Sequence, residues 1–219
     1  MSKRLKNILL PIIITLIYLI FLYFIIEYAW KNGLLVSVRG TSPINIGAKF
    51  AIDFISNLTI VVLIFALILV RKKPLSDVGI TLNSPVIIGV LFIIYLSMFL
   101  VRGNFTAIGF YAAFYYLVIV AFSEEFIFRG YLFTVIDKMF GFWIAGIISG
   151  LLFGAAHGLM TAIVNEYDIT GLIQSVASDL IGQGILGGAI FAYLYKKTKS
   201  LFVPILVHAI LDYSALLFF

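Results

Sequence analysis

Apolar segments long enough to cross a membrane fill almost the whole chain. One transmembrane helix needs about 20 predominantly apolar residues, so the 219 residues accommodate six to eight helices. The segments that we predict to span a membrane are residues 8–29, 50–70, 86–101, 105–136, 142–157, 169–195 and 201–219. The sequence therefore predicts an all-α, polytopic transmembrane bundle of about seven helices that encloses a polar cavity, as a single membrane domain over residues 1–219.

The composition excludes a soluble protein and removes the case for a nucleic-acid partner. Apolar residues make up 63% of the chain and charged residues 11%, whereas soluble domains average about 45–50% and about 25%. The net charge of +5 therefore concerns where cations lie relative to a lipid bilayer. The chain has no Cys, which excludes disulfides, thiolate catalysis and Cys-ligated metals.

Positive charges are unequally divided between the two sides of the predicted bundle. Lys3, Arg4 and Lys6 precede the first apolar run, which is too long for a signal peptide and lacks a small-residue cleavage site. Ten Lys and Arg fall on this side of the seven segments, four fall on the other side, and Arg129 lies within a segment. Because cytoplasmic loops carry the excess of Lys and Arg, we predict a cytoplasmic N-terminus in the plasma membrane of a prokaryote.

Small residues recur at every fourth position in the fifth and sixth apolar segments. They are Gly146, Gly150, Gly154 and Gly158 in the fifth, and Gly184, Gly188 and Ala192 in the sixth. Small residues at this spacing allow the backbones of two membrane helices to approach closely. We therefore predict that the fifth and sixth helices pack tightly, which would also hold His157 in a fixed place.

Two adjacent carboxylates lie deep in the fourth apolar segment. Glu124 and Glu125 are followed by Arg129, and a charge at such depth costs roughly 2.5–3.5 kcal/mol on insertion scales. On a helix, Glu125 and Arg129 are i,i+4 neighbours that can form an ion pair. Glu124 points about 100° away around the helix, lacks that partner and is a candidate general base for water. The alternative is a structural ion pair with a spare carboxylate that faces an aqueous cavity.

Both histidines of the chain also lie in apolar segments. Phe153 precedes His157 by one helical turn, so its ring can fix the imidazole. His208 precedes Asp212 by one turn, and Asp212 can accept a hydrogen bond from one ring nitrogen, which would direct the other nitrogen into the bundle. The alternatives are a core histidine at position 157 and a His–Asp pair that only holds the last helix. An intramembrane ionisable group is a functional candidate by default.

The order of these motifs is that of a known family. Glu-Glu-x-x-x-Arg, then Phe-x-x-x-His, then His-x-x-x-Asp, each in a membrane helix, resembles the CPBP family. This family comprises the CAAX proteases and bacteriocin-processing enzymes, among them the type II CAAX endoproteases and the Abi proteins. The resemblance covers about residues 107–219, where we expect the catalytic core, and it leaves residues 1–106 as N-terminal helices. Many members carry Asn where this chain has Asp212, and an ionised Asp cannot donate a hydrogen bond to an oxyanion.

The resemblance implies an intramembrane endopeptidase of the CAAX type. Glu124 and His157 would activate a water molecule for attack on a peptide carbonyl group. Glu125 and Arg129 would position Glu124 and its helix.

The resemblance also implies an oxyanion donor and leaves the metal open. His208, oriented by Asp212, would donate to the developing oxyanion, the interaction that usually contributes most to such reactions. The family is catalogued as metalloprotease-like. One zinc or other divalent ion held by Glu124, His157 and His208, with an open position for water, is therefore one expectation, and a mechanism without metal is the other.

The substrate and partners follow from the same resemblance. The implied partners are the lipid bilayer and a membrane-associated or lipidated peptide or protein. In a bacterium, a peptide pheromone or a bacteriocin precursor is a better candidate than a prenylated protein. Two other classes stay open: a non-enzymatic membrane protein for immunity or scaffolding with the same fold, and a proton or ion translocator, since carboxylate and His chains also serve as relays.

Overall fold

The chain folds into a bundle of helices, as the apolar segments predict. The structure is a computed structural model that describes residues 3–218, with side chains from residue 9 onward. It is 83% helical, and the described residues contain no strand, which confirms the all-α prediction. We label the seven main helices in chain order as α1 Lys3–Lys31, α2 Ile46–Val70, α3 Pro85–Arg102, α4 Ala107–Phe140, α5 Phe142–Val164, α6 Ile169–Thr198 and α7 Phe202–Phe218.

Six of these helices are long and apolar enough to cross a membrane. The exception is α7, which has 17 residues at the lower end of the usual range for a membrane span. The protein is therefore an integral, multi-pass membrane protein, and its bundle has the predicted number of helices.

Two helices are longer than their apolar segments suggest. The segment predicted for residues 142–157 continues to Val164 in α5, because the residues after His157 are also apolar or small. His157 consequently lies in the helix interior and not at its end. The start of α2 moves to Ile46, so Lys49, which the sequence places in a loop, lies within a helix.

Lys49 is buried in a polar network near the N-terminal end of α2. Its ammonium is 2.8 Å from the Asp53 carboxylate, and the side chain is 2% exposed. The hydroxyl of Tyr111 in α4 donates to the same carboxylate, and the Lys49 ammonium lies 4.4 Å from the ring centroid of Tyr115. A buried cation requires such partners, and the network joins α2 to the beginning of α4.

The longest helix, α4, contains two stretches of π-helix. The first is Tyr115–Phe122 and the second is Phe126–Phe133, and only Ser123–Glu125 between them has α-helical hydrogen bonding. The sequence indicated that this segment was too long for a simple span but not where its geometry would change. Because π-turns in helices occur frequently at functional sites, their position on either side of the Glu pair marks this part of α4.

The predicted close approach of α5 and α6 is confirmed. A Cβ atom added at Gly150 or Gly154 would lie 2.5 Å from a backbone oxygen of α6, and one added at Gly158 would lie 2.5 Å from the Cα of Val176. Gly146 is different, since an added Cβ would meet no atom within 4 Å. Three of the four glycines therefore form the contact surface, and the fourth lies beyond it.

We expect Gly150→Ala to destabilise the bundle, because the new methyl group collides with the Gly184 carbonyl, a backbone atom that cannot rotate away. Overpacking of this kind costs about 1–3 kcal/mol. The measurement is the free energy of unfolding in mixed micelles. Gly146→Ala is the matched control, with the same chemical change one turn away in open space. Equal stability of the two variants would contradict the packing described here.

Candidate active site

The two adjacent glutamates lie near the middle of α4 and differ in their surroundings. Glu125 is completely buried, whereas the side chain of Glu124 is 16% exposed. The carboxylate of Glu125 therefore has only protein groups around it, whereas the side chain of Glu124 is partly exposed although its Oε2 atom is buried.

One oxygen of Glu125 binds two partners from different helices. Oε1 accepts a hydrogen bond from Nη1 of Arg129 at 3.1 Å and lies 3.0 Å from Nδ1 of His208. Arg129 is fully buried and His208 is 5% exposed. The predicted pair of Glu125 and Arg129 is therefore present, and the carboxylate also connects α4 to α7, which the sequence did not indicate.

The second nitrogen of His208 faces two further carboxylates. Nε2 is 3.4 Å from Oδ2 of Asp212 and 3.7 Å from Oε2 of Glu124. Both contacts are longer than the usual 2.7–3.2 Å of a hydrogen bond to oxygen. The sequence predicted that Asp212 fixes the imidazole, but the shorter contact is made by Glu125 on the opposite nitrogen.

Two aromatic rings lie close to the Arg129 guanidinium. The guanidinium carbon is 4.2 Å from the ring centroid of Phe153 and 5.2 Å from that of Phe191. The Phe191 ring also stacks on the imidazole of His208, with 4.8 Å between centroids and 15° between planes. A cation between two rings gains attraction to their faces, which is strongest where water is excluded. We call Phe153 and Phe191 the aromatic clamp.

His157 also packs against Phe153. Its ring centroid is 4.6 Å from that of Phe153, as the one-turn spacing predicts. Nδ1 is 3.1 Å from the Phe153 carbonyl oxygen. A carbonyl oxygen can only accept, so Nδ1 carries the proton and donates it, and Nε2 is left with a free lone pair. Through Phe153, whose ring is also 6.3 Å from that of His208, His157 belongs to the same group of residues.

Several buried polar atoms of this group lack a hydrogen-bond partner among the described residues. They are Oε2 of Glu124, Oε2 of Glu125, and Nε and Nη2 of Arg129. Unsatisfied buried atoms are uncommon in folded proteins and each needs a physical reason. Here they surround one carboxylate pair, and the arrangement can bind a water molecule or the polar backbone of a peptide.

The residues proposed for a metal do not form a coordination set. Among residues 9–218, no group of three or more His, Cys, Asp or Glu side chains is arranged to hold an ion. Nδ1 of His208 contacts Glu125 and Nδ1 of His157 faces a backbone carbonyl, so only the Nε2 atoms of the two rings could bind a metal. In this arrangement those atoms and Glu124 are not grouped closely enough to hold an ion.

Two cavities lie away from this group. One, of about 300 Å³, opens between α1, α2 and α4 near Arg71 and Lys138. The other, of about 330 Å³, is lined by residues of α1 and of the α5–α6 connection, including Trp30 and Glu166. Neither is lined by the Glu or His residues discussed above, so these two cavities are separate from the group.

Sequence reasoning missed Phe191. Phe191 lies three residues after Gly188, and a Cβ added at Gly188 would be 3.5 Å from Nη2 of Arg129. The small residues that bring α6 close to α5 therefore also bring the next turn of α6 against Arg129 and His208. An aromatic residue directly after a small-residue stripe is a common pattern, and nothing local singled this one out.

Comparisons with known proteins point to one family. Residues 106–214 match the family model described as type II CAAX prenyl endopeptidase Rce1-like. The chain is 32% identical over 89 residues to a Bacillus subtilis (strain 168) protein named "Putative membrane peptidase YdiL". That alignment covers 41% of this chain and 29% of the relative, so under a third of the relative's length is matched. No solved structure matches the chain.

Proposed function

Because the chain belongs, through residues 106–214, to the CPBP family of membrane proteases, we propose that it is an intramembrane endopeptidase. It hydrolyses a peptide bond in a membrane-associated or lipidated peptide or protein, with water activated by Glu124 and His157. Proteolysis is the activity of the family, and the roles of individual residues are proposed. One observation carries the proposal: the partly exposed side chain of Glu124 has a buried carboxylate oxygen, Oε2, without a hydrogen-bond partner, and this oxygen lies beside His208.

The water is activated between Glu124 and His157. Nε2 of His157 is free to accept a hydrogen bond, since Nδ1 donates to the Phe153 carbonyl. The Glu124 carboxylate takes a proton from the water while the water oxygen forms a bond to the carbonyl carbon of the substrate. The same proton then passes to the amide nitrogen as the C–N bond breaks, so Glu124 returns to its ionised form.

His208 stabilises the negative charge on the substrate oxygen. Its Nε2 has only long contacts, 3.4 Å to Asp212 and 3.7 Å to Glu124, so an Nε2–H donor can bind a substrate oxygen without losing a short hydrogen bond. Glu125 accepts from Nδ1–H at 3.0 Å and fixes the orientation of the ring. Donation from Nε2 as well requires the imidazolium, with a proton on both nitrogens. Donors fixed in advance and aimed at a developing oxyanion usually make the largest contribution to such reactions.

Arg129 and the aromatic clamp act indirectly. Arg129 compensates the charge of Glu125, and the ring of Phe191 fixes the plane of the His208 imidazole by stacking on it. Phe153 separates Arg129 from His157 and contacts both. These residues position the groups that act on the substrate, and we place them outside the reaction itself.

The proposal extends to orientation and substrate class. The excess of Lys and Arg at one end of the bundle supports a cytoplasmic N-terminus, in the plasma membrane of a prokaryote. The catalytic core corresponds to about residues 107–219, and a small membrane-associated peptide is the preferred substrate class.

The direct test is a peptidase assay on the purified protein in liposomes. The probes are a prenylated peptide and an unmodified hydrophobic peptide, and products are identified by mass spectrometry with and without a chelator. We expect cleavage to persist with the chelator, because the described donors do not form a metal-binding set. Loss of cleavage on chelation, restored by zinc, would contradict the metal-free mechanism. Absence of cleavage with every membrane peptide, alongside peptide-independent proton flux, would contradict the protease assignment.

A further inference from the structure

The cavity between α1, α2 and α4 is apolar inside and has cations at its opening. Its volume is about 300 Å³, at the lower end of the range for ligand pockets, about 300–1,000 Å³. The walls are apolar and come from three helices, with Leu10 in α1, Leu67 in α2 and Val135 in α4 among them. The cavity lies at the end of the bundle that carries most of the Lys and Arg, where lipid headgroups would be.

Cations surround the opening of this cavity. Arg71, Lys73 and Lys138 line it together with one carboxylate, Asp77. Lys138 is 3.8 Å from Asp77, so that carboxylate is already shared. Among the side chains from residue 9 to residue 218, neither Arg71 nor Lys73 has a carboxylate within 4 Å. The opening therefore has an excess of two positive charges above an apolar interior.

The loop that carries Arg71 and Lys73 is fixed in place. Its short 3₁₀ helix, Leu75–Val78, packs on α4, where a Cβ added at Gly130 would lie 2.8 Å from the Val78 carbonyl oxygen. The following residue, Gly79, accepts a hydrogen bond from the Leu201 backbone at 2.8 Å. The Ser200 hydroxyl donates to the Thr81 carbonyl at 2.7 Å. The loop backbone is thus attached to both α4 and the start of α7, so the cavity wall is preformed.

We propose that this cavity binds an anionic phospholipid, with the phosphate group between Arg71 and Lys73 and an acyl chain along the apolar wall. Basic pockets between transmembrane helices at the headgroup level are suited to such lipids. The occupant is a lipid and not a free phosphate ion, because a free ion would leave the apolar wall without a partner. Tyr131, also in the cavity wall, lies six residues after Glu125 on the same helix, so the lipid would contact the part of α4 that carries the glutamate pair.

The test measures lipid binding directly and does not depend on protease activity. Purified protein in micelles is titrated with phosphatidylglycerol or with phosphatidylcholine of the same acyl chains, and bound lipid is counted by native mass spectrometry. We expect phosphatidylglycerol to be retained and phosphatidylcholine to be lost. For Arg71→Gln with Lys73→Gln, we expect binding weakened by about 30-fold, from the usual contribution of two headgroup-level cations.

The matched control is Lys72→Gln with Lys197→Gln. It removes the same charge from the same end of the bundle, with one change in the same loop, but neither residue lines the cavity. Val135→Phe, which fills the apolar wall, is expected to reduce binding with all cations present, and circular dichroism shows whether it is folded. Equal binding of both lipids, equal loss in the two double variants, or displacement of the lipid by inorganic phosphate would overturn the proposal.

Discussion

Glu124→Gln is expected to abolish peptide hydrolysis and to leave the bundle folded. Gln has nearly the same shape as Glu but cannot take the proton from water. General acid–base groups contribute typically about 10²–10⁴-fold in rate, so we expect the turnover rate to fall by at least about 100-fold. The fold should persist, because Oε2 of Glu124 has no hydrogen-bond partner to lose and the contact to His208 is long, at 3.7 Å.

The measurement is the single-turnover cleavage rate in liposomes, with circular dichroism and gel filtration of the same preparation. Glu27→Gln is the control, since Glu27 lies in α1 and pairs only with Lys31 among its described neighbours. That variant should cleave at the rate of the unmodified protein. Full activity of Glu124→Gln would remove Glu124 from the mechanism, and the Glu27 control shows whether any loss is specific to the site.

Arg129→Met is expected to destabilise the protein strongly, in contrast to Glu124→Gln. It leaves the Glu125 carboxylate buried, with its compensating cation gone. Removing one partner of a buried ion pair costs about 3–5 kcal/mol. Because Glu125 also holds His208 at 3.0 Å, the orientation of the imidazole should be lost as well, and activity should fall with stability.

The measurement is the free energy of unfolding in mixed micelles. The double variant Glu125→Gln with Arg129→Met removes both charges, and we expect it to be more stable than Arg129→Met alone, although the contact of Glu125 with His208 is weakened. Lys31→Met is the matched control, because it breaks an i,i+4 pair of the same spacing that is exposed. Exposed pairs contribute little to stability, so this variant should unfold like the unmodified protein. Equal stability of Arg129→Met and Lys31→Met would contradict the structural role of the buried pair.

The two results together separate the adjacent glutamates. Glu124 should be required for turnover with little effect on folding, while Glu125 and Arg129 should be required for the integrity of the site. The distinction follows from their surroundings on α4. Glu125 is paired with Arg129, whereas the side chain of Glu124 is partly exposed and has only a long contact to His208. A purely structural role for both residues would make the variants alike in stability.

Local patterns in the sequence were sufficient for much of the architecture. Apolar segments of sufficient length predicted the helices, since a backbone in lipid must satisfy its hydrogen bonds internally. The one-turn spacings predicted the pairing of Glu125 with Arg129 and the contact of Phe153 with His157, because residues four apart share a helix face. Helix ends were less well placed, since apolar residues after His157 continue the helix without a change in pattern.

What the sequence determined by itself was the membrane class, the helices, and the contacts of Glu125 with Arg129 and of Phe153 with His157, because these depend on hydrophobicity and helical spacing alone. Only the tertiary structure decided that Glu125, and not Asp212, holds Nδ1 of His208. That contact joins residues 83 positions apart, and Phe191 reaches the same imidazole from a third helix. Such contacts depend on how far the helices rotate and how closely they approach, which Gly150 and Gly154 set by bringing α6 against α5.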